Sequence, residues 1–514
     1  MPRITDVSEL VALACDECPE RLAVVEAGGR SLTWEALEDE VARLATGLGH
    51  LGALAGSRVM VVLGNRLEFV TSYLGVLRAQ AVAVPVNPRS TADELERMLA
   101  DSGSRVVIAD ADTAETVREA ASRLPSRPHV VLVGVATTEG ETSYDDLLAP
   151  EARAVPPLRD PEKLAALLYT SGTSGRPRGA MLTHRALLAN IDQVARVEPP
   201  MIHGDDVVLG VLPLFHVYGL NAVLGGVLRH RAKLLLVDRY DPQSTLYLIE
   251  DEACSVVPVA PPVFAHWLQV ERLAERLGPV RLMLSGSAPL SSEVIERFKA
   301  TSGIDIHQGY GLTEAAPVVT STLCSQVAQP GSVGAALPGI DIRLVDDRGA
   351  TPAGEDPGEI SIRGDNLFSG YWPDGAGGPD ADGWWATGDV GFLDATGDLF
   401  LVDRLKELVI VSGFNVYPSE VEDVIREVPA VADAAVIGAP DESTGEAVIA
   451  YVVPATPSAD VAEAVRAHVG TRLARFKQPA RIEVVDELPL TVTGKVQKGR
   501  LRGLERRRAH GLLE

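Results

Sequence analysis

The sequence predicts an α/β fold: a large, multi-layer N-terminal domain with mixed and parallel sheets, followed by a small α+β C-terminal domain. Its 514 residues are too many for a single hydrophobic core, so the chain should fold as more than one structural unit. Short apolar runs alternate with helical patterns as far as residue 402, and this alternation is typical of α/β layers. After residue 403 the pattern changes to that of a compact α+β unit.

The predicted elements of the N-terminal part follow one another in a regular order. Apolar runs bounded by turn residues predict strands at 106–109, 129–135, 233–238, 255–260, 281–285 and 340–345. Helical patterns predict helices at 91–100, 183–195, 242–252 and 291–301. Thr91 and Ser291 each precede acidic residues in the first turn, which is typical of a helix N-terminus.

The C-terminal part predicts a small domain of ordinary size. Its elements are a helix at 419–427, strands at 434–438 and 447–453, a helix at 460–473 and a strand at 481–485. We therefore predict an N-terminal domain at 1–402, a hinge at 403–407 and a C-terminal domain at 408–514. The basic segment 495–508 should be a solvated helix or a frayed end.

Composition narrows the classes of partner. The net charge of −24 argues against nucleic acid and anionic membranes as partners, and a site for anionic ligands would have to concentrate positive charge locally. No apolar run approaches the ~20 residues that span a bilayer, so we expect no integral membrane segment. The N-terminus lacks a signal-peptide pattern and the C-terminus lacks a targeting tail. We expect a cytoplasmic protein.

A loop rich in hydroxyl residues and glycine follows the apolar run at 164–168. Its candidate phosphate-binding residues are Thr170, Ser171, Gly172, Thr173, Ser174, Gly175 and Arg178. Hydroxyls and backbone N–H groups exposed by glycine can bind phosphate oxygens, and arginine adds positive charge. The loop lacks the G-x-x-x-x-G-K-[ST] pattern, so we expect a nucleotide-binding fold of another class.

Further motifs follow along the chain. They are PLFHVYG at 213–219, SGSAPL at 285–290, QGYGLTE at 308–314, GWWATGD at 383–389, DRLKE at 403–407, SGFNVYP at 412–418 and PLTVTGK at 489–495. The motifs at 285 and 308 each follow a strand pattern, and open α/β sheets bind ligands at the carboxyl ends of their strands.

Together with the hydroxyl-rich loop, and in the same order, these motifs resemble those of the adenylate-forming superfamily. That superfamily comprises acyl-CoA synthetases, peptide-synthetase adenylation domains and beetle luciferases, and the resemblance extends over nearly the whole chain, as far as Lys495. It implies that a carboxylic acid and ATP form an acyl-AMP and pyrophosphate, and that the acyl group then passes to coenzyme A. ATP, Mg²⁺ and CoA are the implied cofactor and substrates.

The resemblance assigns roles to particular residues. Nucleotide binding falls to the loop residues above and to Gly286, Ser287, Ala288, Gln308, Gly309, Tyr310, Gly311, Thr313 and Asp389. Tyr310 would stack on adenine, Gly309 and Gly311 would let the nucleotide approach the backbone, Thr313 would bind the α-phosphate, and Asp389 would bind the ribose hydroxyls. Glu314, with Thr170, would hold Mg²⁺, a hard cation that prefers oxygen ligands. Arg178 stands where the family usually has lysine.

The resemblance also implies that the small domain is mobile. Lys406 would be the pivot of the hinge, and Arg404 would reach the nucleotide. Lys495 would enter the site during adenylation and withdraw when the domain rotates. Ser412 and Gly413 would then line the passage of the pantetheine arm of CoA.

Three positions favour a fatty acid as substrate. In the family, the residue at the position of His216 approaches the substrate carboxylate. Amino-acid-activating members have an aspartate at that position, and this chain has histidine. The string at 412–418 looks most like that of bacterial medium- and long-chain fatty-acyl-CoA synthetases. Ile410 stands where aryl-CoA ligases and luciferases often have lysine. Residues at 264–267 and 318–320 should contribute to specificity.

Several other interpretations stay open. The chain could be an aryl-CoA or other specialised carboxylate–CoA ligase, or a ligase that donates its acyl-AMP to another nucleophile. An inactive nucleotide-binding protein is disfavoured by the presence of Glu314, Asp389, Arg404 and Lys495. A luciferase is disfavoured by Ile410. The sequence is compatible with a monomer or a homodimer.

Overall fold

The computed structural model describes residues 4–156, 158–170, 177–288, 290–346, 348–404, 407–411, 414–441, 444–456, 460–491 and 494–509. These residues form two compact units. The first contains the described residues up to 341 together with Arg363–Trp385. The second contains Ile342–Ile362 and the described residues from Ala386 onward.

The strands of the described residues are numbered in chain order. They are β1 (Leu22–Glu26), β2 (Ser31–Thr33), β3 (Arg58–Val62), β4 (Val82–Pro85), β5 (Val106–Asp110), β6 (His129–Val133), β7 (Glu141–Ser143), β8 (Leu164–Thr170), β9 (Arg178–Thr183), β10 (Val207–Gly210), β11 (Lys233–Leu236), β12 (Val256–Val259), β13 (Leu282–Ser285), β14 (Ile306–Gly311), β15 (Val318–Ser321), β16 (Ala335–Ala336), β17 (Ile340–Val345), β18 (Gly358–Gly364), β19 (Trp384–Leu393), β20 (Leu399–Arg404), β21 (Val409–Val411), β22 (Phe414–Val416), β23 (Val431–Asp441), β24 (Gly445–Pro454) and β25 (Arg481–Val484).

The helices are numbered in the same way. They are α1 (Glu9–Glu17), α2 (Trp34–His50), α3 (Leu67–Arg78), α4 (Ala92–Ser102), α5 (Ala114–Ser122), α6 (Tyr144–Leu148), α7 (His184–Ala195), α8 (Gly226–His230), α9 (Pro242–Asp251), α10 (Pro261–Trp267), α11 (Leu273–Arg276), α12 (Ser292–Ser302), α13 (Pro418–Arg426), α14 (Val461–Arg472) and α15 (Lys498–Ala509). A π-helix spans Tyr218–Gly225, and 3₁₀ turns span Thr313–Ala315, Thr322–Cys324 and Arg475–Lys477.

Two sheets organise the first unit. The first sheet has the strand order β7-β6-β5-β3-β4-β8-β9, and its strands are parallel except for the antiparallel pair β8–β9. The second sheet has the order β16-β15-β14-β13-β12-β10-β11-β1-β2 and is parallel from β14 to β1. Antiparallel pairs stand at both of its ends. The predicted mixed and parallel sheets are therefore confirmed.

Apolar faces of helices cover the two sheets. Residues of α4 and α5 pack on the first sheet, and residues of α9, α10 and α12 pack on the second. Helix α3 is buried on nearly all sides, as expected for a helix enclosed in a core. Phe264 and Trp267, two of the expected specificity residues, are fully buried in the second core, where Phe264 packs edge-to-face on Phe298 at 5.1 Å. In this structure they serve packing.

Helix starts agree with the sequence prediction because the capping side chains act locally. The Thr91 hydroxyl accepts a hydrogen bond from the Glu94 N–H, and the Glu94 side chain accepts one from the Thr91 N–H, which completes a capping box. The Ser291 hydroxyl likewise accepts from the Val294 N–H. These bonds satisfy backbone donors that a helix leaves without intrahelical partners.

The second unit contains two further sheets. One has the order β17-β18-β19-β20, and the other has the order β22-β21-β24-β23 with β25 beside β24. On the latter sheet, α13 and α14 cover one face, and the other face packs on Leu488 and on Leu501 of α15. The basic C-terminal segment forms a helix, which was one of its two expected structures.

The α/β fold class is confirmed, with a large N-terminal part and a smaller C-terminal part. The proposed hinge residue Lys406 lies outside the described residues, so the limits at 402 and 408 stay predictions. No helix in the described part of the chain combines the length and the apolar character needed to span a bilayer.

Candidate active site

The carboxyl ends of β13 and β14 bring two predicted nucleotide motifs together. The strands are parallel and pair Ser285 with Gln308, so the residues that follow them meet at one edge of the second sheet. The Gln308 side-chain oxygen accepts a hydrogen bond from the Leu290 N–H at 3.2 Å, which ties the first motif to the second strand. Ala288 lies in the bend after β13.

Two serines at this edge carry buried hydroxyls that make no hydrogen bond among the described residues. They are Ser285 and Ser287. Ser287 also adopts a φ of 77°, in the left-handed region that non-glycine residues rarely occupy. Backbone strain and unsatisfied buried hydroxyls are both characteristic of ligand sites. These two features support the predicted assignment of this segment to a ligand.

The ring of Tyr218 explains why glycine stands at position 286. A Cβ atom on Gly286 would lie 2.7 Å from Cε1 of Tyr218 and collide with the ring. Tyr218 begins the π-helix Tyr218–Gly225, a rare helix type that is frequent at functional sites. Burial raises the pKa of Tyr218, so its phenol stays protonated at neutral pH. The π-helix therefore places a neutral aromatic ring against the residue that follows β13.

His216 lies just before this π-helix and is partly buried. Its Nδ1 accepts a long hydrogen bond, 3.4 Å, from the Tyr218 N–H. An Nδ1 that accepts leaves Nε2 to carry the proton of the neutral ring. The ring is thus oriented by its own backbone, two residues before Tyr218, whose ring lies against Gly286.

Asn65 fixes the loop that carries His216, and it was missed in the sequence analysis. Its amide donates to the carbonyl oxygens of Gly210 at 3.0 Å and Leu212 at 2.9 Å, and its oxygen accepts from the Leu214 N–H at 2.9 Å. Asn65 is 6% exposed and lies just after β3, so it joins the first sheet to the end of β10 in the second. These partners lie about 150 residues away in sequence, which no local motif reveals.

Glu314, the predicted metal ligand, lies in the 3₁₀ turn after β14 and is 9% exposed. Its Oε1 accepts a hydrogen bond of 2.7 Å from the Tyr371 hydroxyl. The Arg178 guanidinium carbon lies 3.7 Å from the centroid of the Tyr371 ring, and the Thr170 hydroxyl donates weakly to the Arg178 carbonyl at 3.5 Å. The structure therefore brings Thr170, Arg178 and Glu314 into one chain of contacts through Tyr371.

Tyr371 is the second residue that the sequence analysis missed. Its GY dipeptide precedes a Trp-Pro pair in a glycine-rich segment, and that pattern alone reads as a surface turn. Burial raises its pKa, and the neighbouring Glu314 carboxylate raises it further. The phenol therefore stays protonated and can only donate to Glu314.

Gly309 and Gly311 have a packing role beside their predicted nucleotide role. A Cβ atom on Gly309 would lie 2.6 Å from the Thr320 carbonyl oxygen, and one on Gly311 would lie 2.4 Å from that of Pro317. The backbone that leads into and forms β15 thus requires glycine at both positions. Tyr310 is 7% exposed, and its stacking on adenine stays a prediction. Thr313 begins the 3₁₀ turn that holds Glu314.

The second unit holds other predicted residues. Asp389 in β19 pairs with Arg404 in β20, and the Asp389 N–H donates to the Thr387 hydroxyl at 3.1 Å. Lys495 closes a turn with Thr491: its N–H donates to the Thr491 hydroxyl at 3.0 Å, and its carbonyl accepts from the Thr491 N–H at 2.7 Å. The roles of Asp389, Arg404 and Lys495 toward the nucleotide stay predictions.

Several predicted residues lie outside the part of the chain that the structure describes. They are Ser171, Gly172, Thr173, Ser174, Gly175, Lys406, Ser412 and Gly413. Their predicted contacts with phosphate and pantetheine, and the pivot role of Lys406, therefore stay predictions.

The donor set fits a magnesium ion held jointly with a substrate. Among the described residues, no cluster of three or more His, Cys, Asp or Glu side chains is placed to enclose a metal. Glu314 offers a carboxylate, and Thr170 offers a hydroxyl in the same chain of contacts. Mg²⁺ typically binds one or two carboxylates together with substrate phosphates and water. Glu314 and Thr170 would hold it, and its charge would neutralise the phosphates.

Comparison with known proteins places this chain in a family. Residues 11–372 match the family model described as AMP-binding enzyme, and residues 420–495 match that of the AMP-binding enzyme C-terminal domain. The chain is 33% identical to 4-coumarate–CoA ligase-like 9 of Oryza sativa subsp. japonica, with 98% of this chain and 93% of the relative covered. It is 32% identical to the long-chain-fatty-acid–CoA ligase of Bacillus subtilis (strain 168), with 92% and 90% covered.

A solved structure gives the same result for the fold. The crystal structure of the anthranilate CoA ligase AuaEII in complex with anthranoyl-AMP aligns with a TM-score of 0.90 and 26% identity over 99% of both chains. The family match spans most of the chain, both relatives are named CoA ligases and are covered over 90% or more of their length, and this neighbour holds an acyl-adenylate. The chain therefore belongs to the AMP-binding enzymes of the adenylate-forming superfamily and is an ATP-dependent, AMP-forming acid–thiol ligase that works through an acyl-adenylate.

Proposed function

We propose that the carboxylic acid activated by this ligase is a medium- to long-chain fatty acid, and that coenzyme A accepts the acyl group. The observation that carries the proposal is His216 with its surroundings. The segment 213–225 contains no acidic residue that could pair with the ammonium group of an amino acid. The side chains of Val217, Leu220, Val223 and Leu224 in the same segment are buried, and an apolar segment beside His216 in sequence suits an apolar substrate tail.

The first half-reaction needs positive charge rather than a base. The acid is already a carboxylate at neutral pH. One carboxylate oxygen attacks the α-phosphorus of ATP, a new P–O bond forms, and the bond to the bridging oxygen breaks as pyrophosphate leaves. Arg178 and Lys495 would stabilise the negative charge that develops, and bound Mg²⁺ would supply further charge neutralisation.

The second half-reaction forms the thioester. The CoA sulfur attacks the acyl carbonyl carbon, the thiol loses its proton, and the bond to the AMP oxygen breaks. Rotation about 403–407 would withdraw Lys495 and bring Ser412 and Gly413 to the pantetheine arm. One site would thus serve both half-reactions.

An aromatic acid is the second candidate. The likeness to 4-coumarate–CoA ligase-like 9 of rice, at 33% identity over 98% of this chain, favours it. Ile410, which is half-exposed in β21, favours the fatty acid because aryl ligases often carry lysine there. Both candidates use the same chemistry and differ in the lining of the acyl pocket.

A panel of carboxylic acids tests the proposal. Pyrophosphate release is measured with saturated acids from four to sixteen carbons, coumarate-like acids, benzoate and amino acids, each with and without CoA. Each buried methylene contributes up to ~0.8 kcal/mol, so kcat/KM should rise a few-fold per carbon and then level off. A preference for an aromatic acid, or a flat response to chain length, would replace the fatty acid by the second candidate. Adenylate without CoA thioester would replace CoA by another thiol as the acceptor.

A further inference from the structure

We propose that Tyr371 is a positioning residue that aims the Glu314 carboxylate and couples it to Arg178 at the base of the phosphate loop. The inference rests on the proposed role of Glu314 toward Mg²⁺ and ATP. It adds two contacts of Tyr371 to that role: its hydroxyl donates a hydrogen bond to Glu314, and its ring packs against Arg178.

The segment that carries Tyr371 contacts Glu314 at two points. The Tyr371 hydroxyl donates to Glu314 Oε1 at 2.7 Å, and the Phe368 N–H donates to the Glu314 carbonyl at 2.9 Å. The rings of Phe368 and Tyr371 pack edge-to-face at 5.0 Å, and both are nearly buried. Backbone and side chain of Glu314 are therefore held by the same short segment, which restricts the directions in which its carboxylate can point.

The same segment is hydrogen-bonded to β9, the strand that begins at Arg178. The Trp372 N–H donates to the Gly179 carbonyl at 2.8 Å, the Ser369 N–H to that of Met181 at 2.9 Å, and the Met181 N–H to that of Gly370 at 3.0 Å. Residues 369–372 thus extend the first sheet beyond β9. This pairing sets Tyr371 beside the point where the predicted phosphate loop re-enters the sheet.

Arg178, the first residue of β9, contacts the ring of Tyr371. Its guanidinium lies over the face of the Tyr371 ring, with 3.7 Å from Cζ to the ring centroid. A planar guanidinium stacks on an aromatic face, whereas a lysine ammonium is a compact point charge. The stack gives a physical reason for arginine where related sequences usually carry lysine. It also holds the charge of Arg178 against the ring whose hydroxyl donates to Glu314.

Three variants separate the parts of this arrangement. Tyr371→Phe removes the donor and keeps the ring for Arg178. Arg178→Lys keeps the charge and loses the planar stack. Glu314→Gln removes the charge and keeps an oxygen that can accept from Tyr371. Tyr144→Phe is a matched control, because Tyr144 is also buried and its hydroxyl pairs with Thr71 in the same unit.

The deciding measurements are the Mg²⁺ dependence of ATP binding by titration calorimetry and the rise in unfolding temperature on adding Mg²⁺ and ATP. Partners that orient a metal ligand change metal affinity about 10- to 100-fold. Tyr371→Phe should raise the Mg²⁺ concentration for half-maximal ATP binding about tenfold and reduce the ligand-induced rise in unfolding temperature. Arg178→Lys should give a smaller shift in the same direction, and Tyr144→Phe should give none.

The double variant Tyr371→Phe, Glu314→Gln should bind ATP with the same Mg²⁺ dependence as Glu314→Gln alone, since the hydroxyl acts through the carboxylate. An unchanged Mg²⁺ midpoint in Tyr371→Phe, or equal additional losses in both backgrounds, would overturn the inference. The binding measurements need no carboxylic acid. A failure of the fatty-acid proposal, seen in the acid panel, is therefore separate from a failure of this one.

Discussion

Candidate site residues within a short motif could be proposed from the sequence, whereas residues that act through distant contacts could not. Glu314 and His216 were predicted as site residues because they stand inside QGYGLTE and PLFHVYG, whose residue types suggest chemistry locally. Tyr371 bonds to a carboxylate 57 positions away, and Asn65 bonds to carbonyls about 150 positions away. Such partners become neighbours only when the sheets assemble.

Replacing Glu314 tests the proposed metal site. Glu314→Gln keeps the shape of the side chain and the acceptor for Tyr371 but removes the negative charge. We expect adenylation to fall roughly 10- to 100-fold at limiting Mg²⁺ and the Mg²⁺ midpoint to rise, because a neutral amide binds a hard cation more weakly. Pyrophosphate release against Mg²⁺ concentration measures both quantities. Glu296→Gln, at an exposed position of α12, is the control, and an unchanged titration curve in Glu314→Gln would move the metal elsewhere.

Glu40 in α2 should make the stability of the first unit depend on pH. Burial, together with the carboxylates of Glu68 and Asp39, raises its pKa to about 7, while Arg30 and Arg43 oppose the shift. A folded-state pKa above the unfolded value means that the contribution of the group is fully present below about pH 4.5 and is lost as the pH rises through about 7.

The variant Glu40→Gln cannot ionise and should avoid that loss. Its stability advantage over the wild type should grow between pH 5 and pH 8 and reach roughly 1–2 kcal/mol, since partial exposure of the carboxyl reduces the full effect. Denaturant unfolding at both pH values measures it. The exposed Glu20→Gln serves as control, and a constant difference between the two pH values would contradict the assignment.

At the scale of elements, strands and helices followed their local patterns closely. The strand predicted at 340–345 is observed as Ile340–Val345, and the helix predicted at 242–252 as Pro242–Asp251. The π-helix Tyr218–Gly225 was not predicted, because its glycines and apolar residues fit several conformations and its geometry depends on packing. Asn65 makes some of these long-range contacts, because it holds the loop that precedes the π-helix.

Removing the Asn65 side chain should release the loop before it unfolds the protein. Asn65→Ala leaves the buried Leu212 carbonyl and Leu214 N–H without the partner that Asn65 gives them, and each such group costs about 1–3 kcal/mol, whereas the Gly210 carbonyl keeps its bond from the Val237 N–H. We expect lower stability of the first unit and a KM for the carboxylic acid raised about tenfold, with the KM for ATP changed less than about twofold. Steady-state kinetics with each substrate varied in turn measures the split.

Asn87→Ala is the matched control, because Asn87 caps a turn at the surface by accepting from the Arg89 N–H at 2.9 Å. Equal rises in both KM values for Asn65→Ala would indicate general loosening of the unit. In that case Asn65 would have no specific role in placing the His216 loop.

At the scale of the whole molecule, the sequence predicted the alternation of strands and helices but not the order of the strands. β1, near the start of the chain, pairs with β11 at Lys233–Leu236 in the second sheet. Strands β3 to β9, which lie between these two in sequence, form the first sheet. A strand's pattern records burial on each face and leaves its neighbour undetermined. The third sheet, β17-β18-β19-β20, likewise went unpredicted although β17 itself was found.

The proposal that the second unit rotates between the two half-reactions can be tested by replacing Lys495. Both hydrogen bonds that close the turn with Thr491 use backbone atoms of Lys495, and neither uses its side chain. Lys495→Ala should therefore leave the turn intact. Loss of one preorganised positive group should slow acyl-AMP formation roughly 10²–10³-fold. Thioester formation from supplied acyl-AMP and CoA should change by less than about fivefold, because Lys495 would be withdrawn in that step. Rapid-quench measurements of each half-reaction give both rates, with the exposed Arg500→Ala in α15 as control. If Lys495→Ala slows both half-reactions equally, a single fixed arrangement of the site must replace the rotating one.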